Sequence, residues 1–299
     1  MAESESENSN PKSLIATVIA TAVGAAIAFA GSDGGETTAG GWPIFALCAG
    51  LAFAINWVAF IPSAIARSER IYDLTGGITY LSVTSVAVLL SSDLDLRGQL
   101  VAAGVILWAT RLASFLFMRI MKDGKDGRFD EMKTNPITFL MAWTLQGLWV
   151  LLTAAAALAV ITGGERQPLG VIGAIGIAVW AAGFAVEALA DAQKSRFKAD
   201  PANHGKFIDT GLWAWSRHPN YFGEIVIWVG MAIIALPVLQ GWQYATLISP
   251  VFVAFLLIKV SGIPMLEERA DARWGGQGDY EKYKAATPVL VLKPPSRSA

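Results

Sequence analysis

The chain has 299 residues, 54% of them hydrophobic and only 16% charged, with 11 Trp and a mean hydropathy of +0.47. That composition excludes an ordinary soluble domain and points to the bilayer as solvent, while a net charge of −1 offers nucleic acid no global field. One cysteine, Cys48, and two histidines, His204 and His218, rule out an intramolecular disulfide and any Cys- or His-rich metal centre; no metal is expected, although a carboxylate-only site stays formally open.

Residues 1–12 are acidic and Ser/Asn-rich, with too little apolar surface to offset the entropy of ordering, so they read as a disordered tail. No signal-peptide start or cleavage site follows, so the first apolar run is expected to be retained. Residues 13–299 read as one transmembrane domain without an internal repeat. A spanning helix needs about 20 mostly apolar residues. Candidates fall near 13–30, 42–65, 77–92, 98–120, 137–162, 168–191, 221–239 and 244–261, a helix bundle of about eight spans, seven to nine. Cys48 lies inside the second run and reads as a packed core thiol.

The basic residues segregate by side. Lys12, Arg67, Arg70, Lys122, Lys125, Arg128, Lys133, Lys194, Arg196, Lys198, Lys206, Arg217 and those after the eighth span share one side, whereas the opposite connections hold only Arg97 and Arg166. The positive-inside rule then places both termini and the long polar loops 119–136, 192–220 and 262–299 in the cytoplasm, of a bacterial inner membrane or an endoplasmic-reticulum-type membrane.

Ionisable groups inside spans cost several kcal/mol unless they pair or face a cavity. Arg111, Glu187, Glu224 and Lys259 are therefore site candidates, with mutual pairing for packing as the alternative. Between spans two and three, Glu69, Tyr72, Asp73 and Thr75 cluster, with Tyr80 farther along; a carboxylate beside a phenol suits proton donation, while Asp73 reads equally as a helix cap. Span four sets Trp108, Arg111, Phe115 and Arg119 on one face, ahead of a KDGKDGRFD turn containing Arg128. In span six Glu187, Asp191 and Lys194 share a stripe, and in span seven Asn220, Glu224 and Trp228 form another, so both stripes face a common mouth. The loop between them is rich in Lys, Arg and aromatics. It suits an anionic cofactor, yet topology or anionic lipid alone accounts for such a loop as well.

ERIYDLTG, RLASFLFMRI, KDGKDGRFD, ADAQKSRFK, GLWAWSRHPNYFGE and SGIPMLEERA together resemble the DUF1295 branch of the steroid 5-alpha-reductase-like proteins, from about Asn56 to Pro288. The RHP-x-Y segment also resembles those of sterol C14 reductases and isoprenylcysteine carboxyl methyltransferases. The resemblance implies a membrane oxidoreductase acting on CH–CH bonds, like a 3-oxo-5-alpha-steroid 4-dehydrogenase. NADPH, bound from the cytoplasm by a half spanning about 111–288, would reduce a C=C bond of a hydrophobic enone entering from the bilayer. Matched by motif, Asp191, Asn220 and Glu224 fall on cofactor-contacting positions, with Glu187 beside them, and Arg111, Arg119, Arg128, Lys194, Arg196 and Arg217 would meet the phosphates. His218, Tyr221, Glu267 and Tyr280 join the same expected cofactor set, and Asp73, Tyr72 and Tyr80 form the expected catalytic set. Trp108 stands where the steroid reductases carry the proton-donating Tyr, and Trp cannot serve, so Tyr72 or Tyr80 must act if reduction is retained.

Two rival readings stay open. The first is an S-adenosylmethionine-dependent methyltransferase of a lipid or lipidated substrate, in which the RHP-x-Y helix and the acidic pair Glu267–Glu268 hold the cofactor. The second is a lipid-binding or transport protein whose buried charges form a path.

Overall fold

The computed structural model describes residues 2–123 and 127–295, with side chains described outside 2–9, 119–123 and 128. Ten α-helices follow in order: α1 (Ala2–Gly31), α2 (Ile44–Ala66), α3 (Tyr72–Leu90), α4 (Leu96–Asp123), α5 (Pro136–Thr162), α6 (Gly170–Ala199), α7 (Pro219–Ala235), α8 (Ile248–Phe255), α9 (Ile263–Trp274) and α10 (Gly278–Ala286). Among the described residues eight helical stretches are long and apolar enough to span a membrane: Asn10–Gly31, Ile44–Ala66, Tyr72–Leu90, Leu96–Met118, Pro136–Thr162, Gly170–Ala199, Pro219–Val238 and Gly241–Trp274. The protein is thus an all-helical bundle of the polytopic membrane kind.

The expected third span gains a turn. Its helix starts at Tyr72 instead of residue 77, with Ile71 at the N-cap, so Asp73 sits in the first turn and does not cap it. Gly76 and Gly77 are buried inside this helix, where their missing side chains admit Gln146 and Ala113 of neighbouring helices; close packing outweighs glycine's poor helix propensity.

The chain divides into two compact units, residues 1–170 with 235–249, and residues 171–234 with 250–299. In the first unit α5 packs on α1, α2, α3 and α4. Its Ala-rich window is 89% buried, and Asn135 caps it by accepting from Ile137 N at 3.0 Å. Gly147 brings α5 against the α2 backbone: a methyl group there would lie 3.1 Å from Ala52 O. Cys48 is buried on α2 with its thiol toward Val83 O, as a core thiol should be.

At one end of this unit the first, third, fifth and seventh connections are tied together. Glu36 accepts from Ser92 N at 2.6 Å and from Ser92 Oγ at 2.8 Å, and it pairs with Arg166. Gln240 Nε2 donates to Glu165 at 3.2 Å, and Trp242 N donates to Asp33 at 2.8 Å. Arg97, 1% exposed, donates to the carbonyls of Pro168 and Leu169 at 2.8 and 3.0 Å. The only two basic residues of the sparsely charged side are therefore both used as internal fastenings.

In the second unit α6 and α7 run antiparallel with their backbones nearly touching. A methyl group at Gly183 would lie 2.6 Å from Ile227 N, and one at Gly230 would lie 2.5 Å from Trp180 N. Gly176 and Gly183 on α6 oppose Gly230 and Gly223 on α7, each pair seven residues apart, so every second turn meets glycine. The eighth membrane-length stretch is irregular: its α8 is followed by a π-helical turn over Leu256–Val260 and a break at Ser261–Gly262 before α9.

Candidate functional site

The glycine contact sets the depth of the acidic stripe. The Gly223 site lies 2.6 Å from Glu187 N, so Glu187 of α6 sits level with the first turn of α7, which carries Asn220, Tyr221 and Glu224. Glu187, Asp191 and Glu224 are 2%, 7% and 8% exposed. Three carboxylates thus gather near one end of a two-helix pair, as the spacing predicts. They do not make a metal site: among the described residues no three His, Cys, Asp or Glu side chains come together to hold an ion.

The connection from α6 to α7 folds onto the end of α6. Leu212 N donates to Gln193 Oε1 at 2.9 Å, Trp213 Nε1 donates to Ala190 O at 3.0 Å, and Lys194 lies 4.4 Å over the Trp213 ring. This turn needs Gly211, whose φ of +61° is left-handed and whose Cα approaches Gln193. Arg196, two residues past Lys194, is exposed.

The turn delivers Arg217 and His218 to Glu267 of α9. His218 Nε2 lies 2.7 Å from Glu267 Oε1, and Arg217 pairs with the other oxygen of the same carboxylate. A carboxylate only accepts, so Nε2 carries the proton and Nδ1 presents its lone pair. Burial lowers the His218 pKa below its ordinary 6.5, and the hydrogen bond to Glu267 offsets only part of that. The ring stacks on Tyr221 with centroids 5.7 Å apart. His218 Nδ1 and Arg217 Nε are buried without a hydrogen-bond partner, a costly arrangement that a bound ligand would relieve.

One turn along α9, Asp271 accepts from Lys284 at 2.7 Å and from the Tyr280 hydroxyl at 3.2 Å, both on α10. Burial, and then this bond, push the Tyr280 phenol up to about 12. Tyr280 also packs on Phe207 at 5.2 Å, beside Trp274 and Tyr283, and Tyr283 donates to Trp213 O at 2.7 Å. The cofactor-side residues Arg217, His218, Tyr221, Glu267 and Tyr280 therefore form one bonded cap. Sequence reasoning missed Asp271, Tyr283, Lys284 and Ser216, which sit among the same motifs but lack a chemistry of their own to flag them.

The expected catalytic residues lie in the first unit. Tyr72 is half-buried, with its ring 4.7 Å from Phe129 and 5.1 Å from Trp143, and its hydroxyl donates to Ala142 O at 3.0 Å. Tyr80 is buried, edge-on to Trp108 at 5.1 Å. Asp73 is half-buried in the first turn of α3, and Arg111 is half-buried on α4. Glu69, grouped with Tyr72 by sequence, pairs with Lys133 at 3.0 Å, and Asp130 and then Glu69 raise the lysine's pKa. Arg119 and Arg128 lie outside the residues whose side chains are described.

A polytopic helix bundle with a carboxylate-lined helix pair and an Arg–His–Glu cap is the class defined by these features. The chain belongs to the family described as "Protein of unknown function (DUF1295)", whose model matches residues 59–287. It is 30% identical over 102 residues to a protein of Ustilaginoidea virens named "Probable O-methyltransferase ustE", a match covering 34% of this chain and 36% of that one. The chain thus matches only about a third of that relative's length. No solved structure matches.

Proposed function

We propose that this protein is a membrane-embedded methyltransferase that moves a methyl group from S-adenosylmethionine to an oxygen of a hydrophobic substrate entering from the bilayer. The observation that carries this reading is the convergence of Arg217 and His218 on Glu267, with buried hydrogen-bonding atoms left over. The methionine end of S-adenosylmethionine is a zwitterion. Glu267 fits its ammonium, and Arg217 Nε with the neighbouring polar groups fits its carboxylate. When bound, S-adenosylmethionine supplies an electrophilic methyl on a sulfonium. The acidic stripe Glu187, Asp191 and Glu224 offers negative charge that favours a cation nearby, while burial of these groups excludes water. The relative named for O-methyl transfer supports the same chemistry.

Charge pairing argues against a dinucleotide. NADPH needs cations free for its phosphates, whereas Arg217, Lys284 and Lys133 each already hold a carboxylate. A second reading, NADPH-dependent reduction of a C=C bond, has one observation in its favour. Tyr80 sits against Trp108, one ring away from where the proton-donating Tyr is expected, while the Tyr72 proton is engaged by Ala142 O.

Both readings place the termini and the cap in the cytoplasm, which a C-terminal reporter fusion checks. The deciding experiment is calorimetric titration of the detergent-purified protein with S-adenosylmethionine and with NADPH. Saturable binding of S-adenosylmethionine alone, weakened in Glu267→Gln, is the expected result. Binding of NADPH alone would transfer the case to the reductase, and binding of neither would remove both.

A further inference from the structure

Residues 287–293 run extended along residues 215–217. Arg217 N donates to Pro288 O at 2.9 Å, and Lys293 N donates to Trp215 O at 3.0 Å. Between these two bonds lies Ser216, 0% exposed, whose hydroxyl donates to Leu290 O at 2.8 Å and accepts from His218 N at 3.1 Å. A serine hydroxyl has one proton and lone pairs to share, and here the proton goes to the strap and a lone pair to the start of α7. His218 immediately precedes Pro219, the first residue of α7, so its N–H belongs to the set that a helix leaves without an internal partner. The side chain that satisfies it is thus itself tethered to a segment more than seventy residues away in sequence.

We propose that Ser216 is a positioning residue, and that the 287–293 strap acts through it to hold the His218 ring in the single tautomer and orientation that meets Glu267. The inference rests on the methyltransferase reading for its functional consequence, but not for its physical content. His218 is fixed at three points: its backbone nitrogen by Ser216, its Nε2 by Glu267 and its ring face by Tyr221. Only the first depends on the strap. Without the hydroxyl, the His218 N–H and the Leu290 carbonyl both lose a partner in a buried setting, and a small shift of the α7 start moves the imidazole off the carboxylate.

The test uses the full chain in detergent with histidine labelled by nitrogen-15. His204 and His218 are the only two histidines, so a His218→Gln sample assigns the spectrum and His204 serves as the internal reference. The unaltered protein at pH 7.5 should show His218 as one neutral tautomer with Nε2 protonated. In Ser216→Ala that signature should move toward the tautomer average, and S-adenosylmethionine affinity should fall roughly two- to tenfold, the worth of one neutral hydrogen bond. A chain ending at Thr287 should give the same tautomer change by a different route. If both variants retain the fixed tautomer, Ser216 and the strap are packing elements and the inference fails. Should S-adenosylmethionine fail to bind the unaltered protein while the tautomer still shifts in both variants, the coupling stands and only the methyltransferase reading falls.

Discussion

Two polar regions of the molecule use the same residue types to opposite ends. Around Glu36, the guanidinium of Arg166 meets a carboxylate and the carbonyls of Val160 and Ile161, and Arg97 meets two more carbonyls. Those cations are spent on closing four connections. Around Glu267, one carboxylate takes both Arg217 and His218, and His218 Nδ1 and Arg217 Nε are left buried and unmatched. Buried polar atoms without partners are expensive, and a fold retains them where something other than stability is served. The contrast teaches that charge in a membrane protein is better judged by its remaining hydrogen-bonding capacity than by its presence.

Substitutions can break that contrast from either side. The largest effect expected is in Gly183→Val, where the added atoms meet the α7 backbone, which cannot rotate away; about 3 kcal/mol or more should be lost, seen as a lower thermal midpoint in detergent. Next comes Glu267→Gln, which keeps the shape but removes the charge, and should weaken S-adenosylmethionine about 10- to 150-fold by calorimetry. Arg166→Ala should do the reverse, lowering stability by about 1–3 kcal/mol with ligand affinity unchanged. An affinity loss in Arg166→Ala equal to that in Glu267→Gln would erase the distinction between the two regions.

The smallest effect is one of pH. Because His218 titrates below its ordinary 6.5 in the folded protein, the unfolded chain takes up its proton first. Its contribution to stability is therefore fully present above pH 6.5 and declines as the pH falls from 6.5 toward the folded value. The unaltered protein should lose thermal stability over that window, and His218→Gln should lose less.

The membrane-spanning pattern was legible because a run of about twenty apolar residues is what a bilayer demands and what a water-soluble surface cannot tolerate. The stripe of Glu187, Asp191 and Glu224 was legible too, since helical spacing alone sets residues on one face. Sidedness of the connections could be read as far as their grouping, and Glu36, Ser92 and Arg166 make that grouping physical. What could not be read were contacts between residues distant in sequence and chemically ordinary, such as Ser216 with Leu290 or Lys133 with Glu69. The start of α3 was misplaced because Gly76 and Gly77 mark a break by propensity, whereas partners from α4 and α5 supply what the glycines lack. Tyr72 looked available for proton donation only because nothing in its neighbourhood in sequence announces Ala142 O.

The five-residue π turn at Leu256–Val260 carries a consequence for heredity as well as for shape. A π turn is an α-helix with one residue too many, and each residue of an α-helix advances the chain by about 100° and 1.5 Å. Loss of a single residue there would restore a regular helix while swinging everything beyond it by roughly a third of a turn. Glu267 and Asp271 lie downstream of that point. A one-residue deletion that looks harmless in an apolar run would thus act as a phase error, turning α9 to present Glu268 and Ala272 where the carboxylates now stand. Lengths in this short stretch should accordingly be far less tolerant of change than the identities of the side chains that fill it.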